Sequence, residues 1–430
     1  MDSIHTIINN KNFRRGDYIK ITIFSLAMAA LWGSLHSIIL PLQLLDIVAE
    51  SEKNTYLGLL TLGGLLLAMV TQPVAGAFSD RSQLKWGRRR PYILLGTVFA
   101  VMLIPGISIA GSFSSIFVVY CLLQITTNTA QSPFQAFIPD LVPDTKRGRA
   151  SGIKSLMEIV GGFALVWLIL KTVNYYFAGE DSSAWLGLVL GILAIMLLIT
   201  MFITVIMVKE RPGTTYVPRP SLPATIFKSY NINIRQNRDF TYFLISRLLF
   251  FMALTTLQSF AFYFIYEMVD VTNPTTATAD LLVVVGISMA ASVYPAGRLS
   301  DHIGRKPILV TSGVLGAAGI LMFILAPNFH YMLIGGALQG IAGGAFFSCN
   351  WAMATDLLPE SEAARYLGLT NVATAGGAAL ARLIGPIIDY FNNSNAGLGY
   401  QVMFFACFVY FITSSALVLK VRGRELTKVR

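Results

Sequence analysis

The chain has 430 residues, 55% of them hydrophobic and 13% charged, about half the ~25% charged share of a soluble domain. That composition excludes a soluble fold, which has no core large enough for so much apolar surface, and makes lipid the natural solvent. The formal net charge of +10 suits nucleic acid in principle, but the placement of the charges excludes that too.

In chain order, a polar stretch from Met1 to Lys20 leads into an apolar run with no small-residue cleavage site, so no removable signal peptide is expected there. Twelve apolar segments follow, each long enough as a helix to cross a bilayer core. They run over residues 18–45, 55–78, 91–110, 115–138, 150–172, 185–208, 240–268, 279–298, 307–326, 330–354, 366–388 and 400–420. With the N-terminus inside, 27 of the 32 Lys and Arg residues fall in inside segments. Two, Lys53 and Lys171, fall outside, and Lys154, Arg247 and Arg382 lie within spans. The asymmetry predicts both termini in the cytoplasm and a multi-pass protein of a plasma or inner membrane. The basic excess is therefore a topology signal and not a nucleic-acid patch.

The longest inside connection, 209–239, carries Pro212, Pro218, Pro220 and Pro223 and divides the spans six and six. The predicted organisation is a tail at 1–17, a six-helix half at 18–208, the linker, a second half at 240–420 and a tail at 421–430. An internal repeat agrees with it. Gly76-Ala-Phe-Ser-Asp80 returns as Gly297-Arg-Leu-Ser-Asp301, and Gly87-Arg-Arg-Arg-Pro91 as Gly304-Arg-Lys-Pro307. Asp140-Leu-Val-Pro143 and Arg149-Ala-Ser-Gly152 return 216 residues later as Asp356-Leu-Leu-Pro359 and Arg365-Tyr-Leu-Gly368. Gly161-Gly162 of span 5 returns as Gly376-Gly377 of span 11.

The doubled G-x-x-x-D motif with a following G-R-R/K resembles the signature of the major facilitator superfamily, over all twelve spans. The resemblance implies two pseudo-symmetric six-helix halves around a cavity that opens to alternate sides. It also implies that Asp80 faces the start of span 11 and Asp301 the start of span 5, closing the cytoplasmic side. Arg88, Arg89, Asp140, Arg149, Arg305, Asp356 and Arg365 would extend that charge network. A carboxylate near a helix start suits the positive end of the helix dipole. The alternative reading is that such charges are ordinary loop residues obeying the positive-inside bias.

Span 4 places Gln124, Asn128, Gln131 and Gln135 on one helical face. Four amides are costly against lipid, so they face protein or a wet cavity. They either bind a hydroxyl-rich solute or hold helices together. The stretch Gln124 to Asp140, with Ser79-Asp80-Arg81 and Gly87 to Ile93, resembles plant-type sucrose transporters and their animal relatives. Trp32, Ser37, Pro41 and Gln43 of span 1 fit that branch more loosely. That pattern has an acid where this chain has Gln124 and a base where it has Gln135, so proton coupling through span 4 is not expected.

Ser34-Leu-His36-Ser37 of span 1 aligns with Thr256-Leu-Gln258-Ser259 of span 7 at an offset of 222, which makes His36 and Gln258 candidate solute contacts or packing groups. The aromatic run Phe260, Phe262, Tyr263, Phe264 and Tyr266 reads more readily as packing. Asn350, Trp351 and Asn371 are further binding candidates. Glu158 lies about 13 Å into span 5 at ~1.5 Å per residue, with Lys154 one turn away. The pair is either a proton-coupling device or a permanent internal ion pair.

Cys121, Cys349 and Cys407 lie inside apolar runs, and four scattered histidines give no metal-ligand spacing. No triad, P-loop or cofactor motif is present, so neither an enzyme nor ATP-driven transport is expected. The sequence reads as a monomeric secondary transporter of a small polar solute, a sugar or glycoside, with or without a proton or other cation. Its rivals are a proton-coupled drug or metabolite exporter and a non-transporting receptor or assembly factor. The short loops disfavour the last.

Overall fold

The computed structural model describes residues 15–82, 84, 86–176, 182–210, 238–325, 328–357 and 363–422. The side chains of 144–145, 173–176, 182–184, 355–356 and 363–368 are excepted. Most of both terminal tails (1–14 and 423–430) and nearly all of the 209–239 linker lie outside these residues. So do the side chains of Asp356 and Arg365.

Among the described residues, twelve helices are long and apolar enough to cross a membrane. They are α1 Arg15–Leu45, α2 Glu50–Arg81, α3 Arg90–Ile109, α4 Phe113–Leu141, α5 Lys146–Thr172, α6 Trp185–Met207, α7 Arg238–Met268, α8 Pro274–Ile303, α9 Arg305–Leu325, α10 Phe329–Ala354, α11 Leu369–Ser394 and α12 Leu398–Lys420. Local chemistry sets several ends. Ser112 caps α4 in a reciprocal box with Ser115. Asn273 caps α8 just ahead of Pro274. The repeated glycines of the two motif loops are conformational requirements, since Gly87 has φ +128° and Gly304 φ +90°.

The helices are not uniform. α1 opens into a π turn at Leu35–Ile39, around His36. α5 does the same at Val160–Leu165, just after Glu158. α11 is interrupted between Arg382 and Gly385, ahead of Pro386.

Packing divides the chain into two compact units, residues 1–35 with 63–217, and residues 36–62 with 218–430. In the first, α1 lies against α5 and α6, and α3 against α4 and α6. Gly161 lets α5 approach α1, because a Cβ there would meet the Leu26 carbonyl. In the second, α8 and α9 pack on α10, and α7 on α11 and α12. Residues 36–62 therefore pack with the C-terminal half, although the repeat assigns them to the N-terminal half.

Candidate functional site

Three polar centres lie within these units. The first is a cavity of about 240 Å³ between α1, α4 and α5. Ser25 and Trp32 of α1, Gln131 and Gln135 of α4, and Lys154 and Glu158 of α5 line it. Lys154 donates to Glu158 at 2.6 Å, and both side chains keep partial exposure, 21% and 40%. The i, i+4 spacing places both on one face of α5.

The predicted amide stripe divides in two. Gln131 and Gln135 face the cavity. Gln124 and Asn128 are buried and committed to protein partners. Gln124 donates to the Tyr120 hydroxyl at 2.8 Å, and Asn128 donates to Gln124 Oε1 at 2.9 Å. Gln72 of α2 in turn donates to Asn128 Oδ1 at 2.7 Å. These two amides thus have protein partners, one of them supplied by α2.

The second centre surrounds Arg247 of α7, which is 3% exposed. Its Nε donates to the Thr370 carbonyl at 3.1 Å and to Thr374 Oγ1 at 2.8 Å, and its Nη1 donates to Asn350 Oδ1. The guanidinium lies 5.2 Å from the Phe251 ring centroid and 5.0 Å from that of Trp351. No carboxylate among the described residues lies within 4 Å of it. Sequence reasoning counted Arg247 only as a charge inside a span, yet the repeat offsets would have located it. Ser25 and Arg247 stand 222 apart. Phe134, Gln135, Lys154 and Glu158 stand 216 before Asn350, Trp351, Thr370 and Thr374. Ser25 Oγ lies 3.5 Å from the Lys154 carbonyl, as Arg247 Nε lies close to the Thr370 carbonyl. The same place in each half holds an open cavity with an ion pair in one and a packed arginine with an indole in the other.

Gln258 and Asn371 are exposed and His36 half-buried, all in the second unit. Of the α7 aromatics, Phe260, Phe262 and Tyr263 are fully buried, as a packing role requires.

The third centre is the predicted cytoplasmic cluster of the first unit. Arg89, 5% exposed, pairs with Asp80 at 2.6 Å and with Asp140 at 2.9 Å, and donates to Ser79 at 2.7 Å. Arg88 reaches Asp140 at 2.6 Å. Glu210, which the sequence reading missed, accepts the backbone N–H groups of Arg89 (2.8 and 2.9 Å) and Arg90 (3.3 Å). An acid from the end of α6 thus caps the start of α3, where unsatisfied donors and the helix dipole favour it. Arg149 stands apart from these acids, its guanidinium 5.7 Å from the Tyr18 ring centroid. Asp301 is exposed at the end of α8, and Arg305 begins α9.

The family model described as MFS/sugar transport protein matches residues 24–380. The chain belongs to that family. Among curated relatives, lactose permease of Leuconostoc lactis is 21% identical over 408 residues, covering 89% of this chain and 62% of its own. The inner membrane transport protein YajR of Escherichia coli (strain K12) is 31% identical over 144 residues, 34% of this chain and 30% of its own. The minor myo-inositol transporter IolF of Bacillus subtilis (strain 168) is 32% identical over 101 residues, 24% and 23% of the two chains. The chain thus spans less than two thirds of the length of each of these relatives. Among solved structures, a point mutant of the nucleoside transporter NupG superposes with a TM-score of 0.74 at 13% identity, covering 94% of this chain and 100% of its own. The D-xylose-proton symporter does so with a TM-score of 0.68 at 16% identity, covering 94% and 96%. These likenesses show the fold, an all-α membrane protein of twelve transmembrane helices in two six-helix halves.

Proposed function

We propose that this protein is a secondary transporter of a sugar or glycoside, working by alternating access. The observation that carries the reading is the cavity of the first unit. Two amides and a hydroxyl supply donors and acceptors for solute hydroxyls, and Trp32 supplies an apolar face for ring C–H groups. The names of the relatives, a lactose permease, a myo-inositol transporter and a D-xylose-proton symporter, support a hydroxyl-rich solute. In this reading Gln131 and Gln135 contact the solute in the first-unit cavity, while Asn350 and Trp351, whose indole stacks on Arg247, are candidate contacts of the second unit. His36, Gln258 and Asn371 are secondary contacts.

Glu158 is the proposed coupling group. It takes a proton when exposed and releases Lys154 as it does so. Asp80, Arg88, Arg89 and Asp140 form the cytoplasmic charge network of the first unit, with Arg149 beside it, and by repeat symmetry Asp301, Arg305, Asp356 and Arg365 are its counterparts in the second. Both termini lie in the cytoplasm, the halves are joined by the 209–239 linker, and the working unit is a monomer. Counterflow of radiolabelled sugars in proteoliposomes tests the reading. Exchange of at least one mono- or disaccharide is the expected result. Exchange of lipophilic cations with no sugar exchanged would replace it by the exporter reading.

A further inference from the structure

Within the second unit, Arg247 of α7 is a buried cation with no acid beside it. It is 3% exposed, and among the described residues no carboxylate pairs with it. Its bonds to the Thr370 carbonyl, Thr374 Oγ1 and Asn350 Oδ1 use Nε and Nη1. All three acceptors are neutral, and Nη2 makes no hydrogen bond to a described residue. Neutral dipoles and ring faces offset only part of the hydration that a buried guanidinium loses, so such a group ordinarily has an anion with it.

The internal repeat shows where the acid would stand. In the first unit Lys154 donates to Glu158 at 2.6 Å, a pair whose charges cancel. The matching positions 216 residues later are Thr370 and Thr374, and the cation comes instead from α7, where the first unit has Ser25. The second centre therefore carries one positive charge and, among the described residues, no balancing acid.

The side chains around the guanidinium suit a sugar. Trp351 lies over it at 5.0 Å and is 41% exposed, which leaves indole area for ring C–H groups. Asn371, three residues before Thr374 on α11, is exposed and carries an amide for hydroxyls. We propose that Arg247 is the centre of an oxyanion site in the second unit, taking a sugar that bears a carboxylate or a phosphate. Nη2 donates to the oxyanion, in the planar fork that matches both groups. The proposal rests on the transport reading only for the sugar part of the ligand; the oxyanion follows from the second unit alone.

The test is isothermal titration of the full-length purified protein with glucose, glucuronate, glucose 6-phosphate and sodium sulfate, at constant ionic strength. Glucuronate or glucose 6-phosphate is expected to bind at least about tenfold more tightly than glucose, the effect of one bond to a charged group. Which of the two binds more tightly tells carboxylate from phosphate. Asn350→Asp on α10 and Thr374→Glu on α11 each give Arg247 an acid of its own, so in either variant the preference should fall toward one. Melting temperature checks that each variant is folded. A wild-type ratio near one overturns the site, and so does an undiminished preference in whichever acid variant folds. Sulfate bound as tightly as either charged sugar overturns the sugar as the ligand. Counterflow of neutral sugars without anion binding would strike this proposal and leave the transport reading standing. Tight binding of a charged sugar that is lost in the acid variants, with no exchange of any sugar, would support the site and strike the transport reading.

Discussion

The substitution Glu158→Gln separates exchange from energy coupling. In the wild type the carboxylate accepts from Lys154 at 2.6 Å inside the α1–α4–α5 cavity. Two unit charges 4 Å apart attract by about 1 kcal/mol in water and about 4 kcal/mol at an effective dielectric constant near 20. With Glu158 40% exposed, solvent holds this pair toward the lower figure. A pH difference of one unit supplies about 1.4 kcal/mol per proton. One proton per solute then supports about tenfold accumulation across one pH unit. Glutamine keeps the shape and stays neutral. Counterflow by Glu158→Gln should persist, while accumulation driven by a pH step in proteoliposomes should fall to an inside-to-outside ratio near one. Accumulation at the wild-type level in Glu158→Gln would refute the coupling role. If the wild type accumulates nothing under any ion gradient, the protein is a facilitator and the pair is structural.

If Gln131 and Gln135 each bond the solute as proposed, Gln131→Ala and Gln135→Ala each remove about 0.5–1.5 kcal/mol and should weaken binding roughly 2- to 13-fold by isothermal titration with the detergent-solubilised protein still folded. Asn128→Ala should instead lower thermal stability, by about 1–3 kcal/mol, because it strands the Gln72 and Gln124 side chains. Normal stability in that variant would return Asn128 to the solute-facing set. Glu210→Gln weakens the cap on Arg89 and Arg90, bonds to a charged acceptor worth about 1.5–3 kcal/mol each, and should speed proteolysis of the α2–α3 loop. Arg247→Lys keeps the charge but cannot hold Thr370, Thr374 and Asn350 together in a planar fork. It should lower the melting temperature and shift Trp351 fluorescence, and an unchanged spectrum would argue that the indole does not depend on Arg247.

The twelve helices were legible from residue types alone, within a few residues at most ends. In lipid every backbone group must be satisfied inside its own segment, so each span is announced by its own apolar length. The repeat was legible for the same one-dimensional reason, as was the Lys154–Glu158 pair, whose contact is set by helical spacing alone. Which polar groups meet across helices was not. Glu210 caps a helix start some 120 residues earlier, and Asp389 caps one some 335 residues earlier. A lone acid carries no periodicity that names its partner. The amide stripe shows the same limit. Spacing placed four residues on one face of α4, but only the approach of Gln72 to Asn128, and the room left beside Glu158, decided which two became internal bonds and which two line a cavity. Packing also assigned residues 36–62 to the C-terminal half, because the glycines at 58 and 385 let α2 and α11 come close enough for a carboxylate to reach bare backbone amides.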